Sequence, residues 1–167
     1  MSEFDWIPPI RAKMNAKPRA IPMPDWCKKR YQDAHDLSFS DIIKKDGLNF
    51  NAKIPDTNKA NGLTQAVIKF LNWSGHNADR TSTQGRMIRV NGVYKRISSA
   101  NRKGTSDISV TMKGGRSAKL EIKIKPDKPS IDQLKEQARE RAVGGCYEFI
   151  YSFENFILWY DNFILSL

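Results

Sequence analysis

Two short runs of alternating residues constrain this chain most. Ile108, Val110 and Met112 alternate with Ser109 and Thr111, and Leu120, Ile122 and Ile124 alternate with Glu121, Lys123 and Lys125. A period of two marks strands that are half-buried, with one face on a core and the other in solvent. Between the runs stands Lys113-Gly-Gly-Arg-Ser117, a turn composition, so residues 107–125 are expected to form a hairpin. Ser130-Ile-Asp-Gln133 then opens a segment with Ile131, Leu134, Ala138 and Ala142 on one stripe, which predicts an amphipathic helix over residues 130–143 ending at Gly144-Gly145. A strand at 147–151 follows. Strand, crossover helix and strand make a βαβ unit, so the fold class is α/β and the strand at 119–125 is a central one.

If the apolar sets share a core, Asp107 sits at a strand rim, and Glu121 and Lys123 emerge together on the opposite face. Two carboxylates so placed suit Mg²⁺, which takes few protein ligands and keeps waters for a phosphate substrate. A neighbouring lysine orients or deprotonates an attacking water, provided its surroundings depress its pKa. The same spacing also fits a solvated strand face carrying cross-strand ion pairs. Ser130-x-x-Gln133 has two readings as well: a helix capping box, or a glutamine facing the site.

Taken in order, Gly104-x-x-Asp107, Glu121-x-Lys123 and Ser130-x-x-Gln133 before a helix and a Gly-Gly turn resemble the PD-(D/E)xK nuclease superfamily, most closely its VRR-NUC branch. The likeness covers residues 61–161. It implies a restriction-endonuclease-like fold, with a mixed central sheet flanked by helices, and a Mg²⁺ or Mn²⁺ cofactor. Residue by residue, it implies that Asp107, Glu121 and the Ile122 carbonyl hold the metal, that Lys123 assists the nucleophilic water, and that Gln133 lines the site. The implied activity is phosphodiester hydrolysis by a DNA endonuclease that leaves a 5′ phosphate, of the phage or mobile-element type acting on branched or flapped DNA. A junction-resolvase-like homodimer and a non-catalytic DNA-binding or virion-associated module are the other readings. Ser106 stands where the motif name has proline. Gln65 stands on the preceding helix where an acid is often carried, and an uncharged amide favours one metal over two.

Charge agrees with a DNA partner. The net charge of +10 lies in residues 61–125, which hold 13 Lys and Arg against three Asp and Glu, whereas residues 126–167 hold four against seven. Asn91-Gly92, flanked by apolar residues, predicts a hairpin over residues 87–97. Arg86, Arg89, Lys95 and Arg96 decorate it, Arg102 and Lys103 follow in the next loop, and these six are the expected phosphate contacts, forming one wall of a groove that leads to Asp107. Tyr94 reads as a packing residue rather than a base-stacking one.

Outside this region, residues 1–24 interleave five prolines with cations and read as an extended basic arm, with Trp6 and Trp26 as possible anchors. Short helices are expected at 25–36 and 39–43, a linker at 49–61, and compact folding from residue 60. The chain thus divides into an arm with short helices at 1–60 and a nuclease domain at 61–167. A helix at 62–73, a strand at 77–81 and a final helix from 154 complete the order. That last segment contains Asp161 and is too short to span a bilayer, so it is expected to pack on the sheet, with a dimer contact as the alternative. Cys27 and Cys146 are too few and too far apart for a disulfide framework or a zinc site. His35 and His76 read as surface or loop residues. The N-terminus lacks a signal-peptide pattern, so a reducing, intracellular setting is expected, either cytoplasm or an infected host cell.

Overall fold

The computed structural model describes residues 22–47, 51–81, 86–97 and 102–166, with the backbone alone at 86, 96 and 97. In chain order the elements are α1 (Asp25–Ser38), α2 (Ser40–Asp46), α3 (Ala60–Trp73), β1 (Asn77–Arg80), β2 (Arg86–Val90), β3 (Val93–Ile97), β4 (Ile108–Thr111), β5 (Ser117–Ile122), α4 (Ile131–Ala142), β6 (Cys146–Ile150) and α5 (Phe153–Leu165). The alternating runs do pair. Ile108 lies opposite Leu120 and Val110 opposite Ala118 in an antiparallel ladder. The chain leaves β5, passes through α4 and returns in β6 parallel to β5, with Glu121 opposite Phe149, because a helix-length crossover brings the next strand back in the same direction. With β1 antiparallel to β4, the four strands form a mixed sheet in the order β1-β4-β5-β6. The protein is therefore mixed α/β.

β2 and β3 form a separate two-stranded ribbon. Its turn has Asn91 at φ 51° and Gly92 at φ 81°, the pair of left-handed conformations that a type I′ hairpin turn requires and that Asn-Gly adopts readily.

One face of the main sheet carries the apolar core. Ile108, Val110, Ala118, Leu120, Ile122 and Ile150 pack with Leu63, Val67, Phe70 and Leu71 of α3 and with Phe153, Phe156 and Ile157 of α5. α1 belongs to this core, which corrects the expectation that folding begins near residue 60. Cys27, Tyr31 and His35 recur every four residues and so share a helix face, and all three are buried, as is Met23 at the end of the expected arm. The Tyr31 ring stands edge-on to Trp73 and Phe153, with centroids 5.0 and 5.6 Å away. Arg30 pairs with Asp161 of α5 at 2.5 Å. An apolar face of that size is stabilised by packing and not by solvent, so residues 25–38 dock although the linker after them looks like a boundary. The rest of the arm, with Trp6, lies outside the described residues; Trp26 is exposed. The final helix packs as expected, through Phe153, Phe156, Ile157 and Phe163.

The second face is polar, and α4 covers it. This corrects two expectations. β5 is buried on both faces rather than half-buried. The α4 stripe of Ile131, Leu134, Ala138 and Ala142 faces outward, with Ile131 73% exposed, while Glu136 is the buried residue of the helix. The reason lies beneath the helix. Lys119 and Glu121 project from β5 toward it, so the polar side of α4 meets them: Lys119 pairs with Glu140 and Gln133 reaches Glu121. His35 is likewise not a surface residue, for its ring lies 5.0 Å from Trp73. His76 is in a loop as expected, but tied down: its Nδ1 accepts the Lys113 N–H at 2.9 Å and its Nε2 lies 2.9 Å from the Tyr160 hydroxyl. No helix of the described residues is long and apolar enough to cross a membrane.

Tyr31→Ala tests the place of α1. Removing this ring from the core should cost about 3–5 kcal/mol, read by urea denaturation, and a loss under about 1 kcal/mol would show that α1 lies outside the cooperative unit.

Candidate active site

Asp107 ends the loop that enters β4, and its position is fixed from both sides. Its backbone carbonyl accepts the Thr81 N–H at 2.8 Å. Its carboxylate Oδ2 accepts the Ile122 N–H at 3.0 Å, so this side chain reaches across to the end of β5. Ser106 is buried, and its hydroxyl donates to the Ile108 carbonyl at 3.0 Å, which secures the rim where the motif name has proline. Gly104 sets the approach of the loop. It has φ +86°, and a Cβ there would stand 2.4 Å from the Asp132 carbonyl oxygen in the first turn of α4. Only glycine combines that conformation with that contact.

Glu121 and Lys123, two residues apart, lie side by side as the strand period requires. Both are 5% exposed, so the reading of this face as an ordinary solvated one does not hold. Glu121 Oε1 accepts from Gln133 Nε2 and lies 3.3 Å from Lys123 Nζ. Glu121 Oε2 is buried with no hydrogen-bond partner. Lys123 Nζ also lies 3.2 Å from Asp127 Oδ2. Gln133 fulfils both of its readings. Its Oε1 accepts the Ser130 N–H at 2.9 Å while its own N–H donates to Ser130 Oγ at 3.3 Å, a complete capping box, and its amide N–H₂ is left to hold Glu121.

Electrostatics follow from this packing. Burial, and then repulsion from the Asp107 carboxylate, push Glu121 up to about 7, and Lys123 offsets only part of this. Burial pulls the Lys123 ammonium down, but hydrogen bonds and opposite charge from Asp127 and Glu121 outweigh it and hold the group above the ordinary lysine range. Its two acidic neighbours thus favour the ammonium, which suits donation more than proton capture.

Two participants carry no sequence signal of their role. Tyr147 of β6 is fully buried, and its hydroxyl donates to the Gly104 carbonyl at 2.9 Å. Burial and the charges of Glu121 and Asp107 push its pKa upward. In the sequence it looks like any aromatic in a strand. Asp127 sits in Pro126-Asp-Lys-Pro129, where turn composition hides a carboxylate aimed back at Lys123.

The structure thus brings together Asp107, Glu121, Lys123 and Gln133, with the Ile122 peptide bonded to Asp107. Gln65 is exposed on α3. Of the six basic candidates, Arg102 and Lys103 are exposed on the loop leading to Asp107, and Arg89 and Lys95 are exposed on the ribbon. Arg86 and Arg96 pair in the ribbon with Ile97 and Met87, and their side chains lie outside the described residues. Because the ribbon is a sheet of its own, the described residues do not join it to Asp107 as one groove wall.

Among the described residues no three His, Cys, Asp or Glu side chains cluster as a ready cage for an ion. The Asp107 and Glu121 carboxylates are the oxygen chemistry that a hard cation keeping most of its waters would take. An unpartnered buried carboxylate oxygen beside a second carboxylate suits such an ion, since a positive charge would relieve both the desolvation and the repulsion.

Comparison with family models, curated proteins and solved structures finds no match for this chain. The site is therefore judged on its own chemistry.

Glu121 makes stability depend on pH. Its folded-state pKa, about 7, lies above the ordinary glutamate value of 4.5, so the folded protein binds the proton more tightly. Stability in EDTA should fall as pH rises from about 4.5 to about 7, by up to ~3 kcal/mol, and level off above. Glu121→Gln should flatten this segment of the denaturation profile. An equal slope in wild type and variant would remove Glu121 as its source.

Proposed function

We propose that this protein is a Mg²⁺- or Mn²⁺-dependent DNA endonuclease of restriction-endonuclease-like fold, in the PD-(D/E)xK manner and nearest in motif to the VRR-NUC branch. One observation carries the reading: the buried, unpartnered Oε2 of Glu121, on a strand whose neighbour loop supplies Asp107. A core gains nothing from such an arrangement, since burying a carboxylate oxygen that no donor meets is costly. The mixed sheet with its parallel β5-β6 pair and flanking helices agrees with that fold.

Asp107, Glu121 and the Ile122 carbonyl would hold one ion. When bound, it supplies the positive charge that acidifies water and steadies the charge developing on a phosphodiester. Lys123 acts as a donor. Its ammonium has three N–H groups, two of which are directed at Asp127 and Glu121, and the third orients the attacking water or a phosphate oxygen. Gln133 fixes the Glu121 carboxylate through the α4 cap. Arg102 and Lys103, and the ribbon cations Arg86, Arg89, Lys95 and Arg96, hold the DNA backbone without reading bases. The products are a 5′ phosphate and a 3′ hydroxyl.

A junction-resolvase-like homodimer is the second reading, and the observation in its favour is the apolar stripe that α4 leaves at the surface, where Leu134 is 48% and nearby Val143 78% exposed. Analytical ultracentrifugation at micromolar concentration decides it: a monomer sinks the dimer and leaves the nuclease.

Two measurements test the proposal. Mg²⁺ or Mn²⁺ should raise the melting temperature of the wild type by mass action, and Asp107→Ala should abolish that rise. Incubation with linear, flapped, four-way and single-stranded DNA should give cleavage with either metal and none in EDTA. Lys123→Ala and Glu121→Gln should each reduce cleavage by about 10²-fold or more while DNA affinity changes by only a few-fold. Wild-type protein inert on every substrate with both metals would refute the assignment.

A further inference from the structure

The ribbon of β2 and β3 combines two features that ordinary surfaces keep apart. Residues 81–106 contain six cations and no acid. The same segment exposes large apolar side chains: Met87 is 62% exposed and Tyr94 67%. Tyr94 is thus not the packing residue that its place in a hairpin implies. The register gathers the pieces on one face. Arg89 lies directly opposite Tyr94, and Met87 is two residues from Arg89 along β2. The Arg89 guanidinium stands 5.8 Å from the Tyr94 ring centroid, and its Nε donates to the Gly92 carbonyl at 3.3 Å. The turn therefore holds the arginine against the ring.

We propose that this face of the ribbon is a binding site for the unpaired bases of single-stranded DNA. The ring of Tyr94 stacks on one base, Met87 packs beside it, and Arg89 meets the adjoining phosphate. The proposal rests on the nuclease reading only in taking DNA as the polyanion. Charge selects the class of occupant, because a segment with six cations and no acid is complementary to a polyphosphate. The open ring selects its state. Base stacking on an aromatic needs a base with a free face, which single strands provide and a duplex covers with neighbouring base pairs. Among its described residues the site offers no ordered set of donors and acceptors for a base edge, so stacking here is tolerant of sequence.

The test uses the full chain in EDTA, so that no turnover intervenes, and reads anisotropy of fluorescent oligodeoxythymidylate against a duplex of equal length. Tyr94→Ala should weaken single-strand binding by about tenfold and leave duplex binding within about twofold. Tyr94→Phe, which keeps the ring, should bind like wild type. Arg89→Ala should lower the single-strand salt slope by about 0.7. Melting temperatures report that the variants remain folded. The idea is overturned if Tyr94→Ala binds the single strand as wild type does, or if it loses equally on both DNAs. Wild-type protein that cleaves nothing but shows the Tyr94 effect would sink the nuclease reading and support this one, and cleavage without the Tyr94 effect would do the reverse.

Discussion

A carboxylate buried between a sheet and a helix organises this protein. Glu121 is on β5, an inner strand of the sheet, and desolvating it is tolerable only where donors and cations come with it. Lys123 stands beside it, Gln133 reaches down from the first turn of α4, and Lys123 is in turn held by Asp127. The layer extends along the helix. Lys119 pairs with Glu140, Arg139 with Glu136, and the Gln137 amide donates to the Tyr147 carbonyl at 3.1 Å. The sheet is thus asymmetric: an apolar core with α1, α3 and α5 holds one side, and a hydrogen-bonded polar layer holds the other. Such a layer fixes the position of α4 by geometry, since these pairs form in one docking only.

This asymmetry explains what the sequence discloses and what it conceals. The period of two in residues 108–124 was enough for the hairpin, and the helix between two strands for the parallel pair, because both are local signals. The orientation of α4 was not legible. A stripe of Ile131, Leu134, Ala138 and Ala142 tells which residues share a face, but the partner of that face depends on the strand beneath, where alternate residues are charged. The docking of α1 was concealed in another way. Met23, Cys27 and Tyr31 carry the apolar face, but the prolines before them and the polar stretch after α2 look like boundaries.

The site was more legible than its surroundings. Asp107, Glu121 and Lys123 followed from chemistry at strand spacing, and Gln133 from the capping box. Their burial did not follow, because it depends on α4 lying polar side down. Asp127 and Tyr147 were invisible for a related reason: each acts through a long-range approach, Asp127 across a turn and Tyr147 across 43 residues to the Gly104 carbonyl. The Tyr147 bond ties the loop at 102–106 to β6, and the close approach of Gly104 to Asp132 seats the same loop against the first turn of α4.

Cys27, on the inner face of α1, gives the chain a clock of its own. The thiol is fully buried and free, and burial, reinforced by Glu154, pushes its pKa up to about 11. Alkylating reagents attack the thiolate, so the docked cysteine is doubly shielded, by lack of access and by lack of charge. Its labelling at neutral pH must wait for α1 to lift from Trp73 and Phe153. The rate at which that one sulfur is captured therefore counts the openings of the helix, and the partly exposed Cys146 on β6 serves as the internal standard against which they are counted.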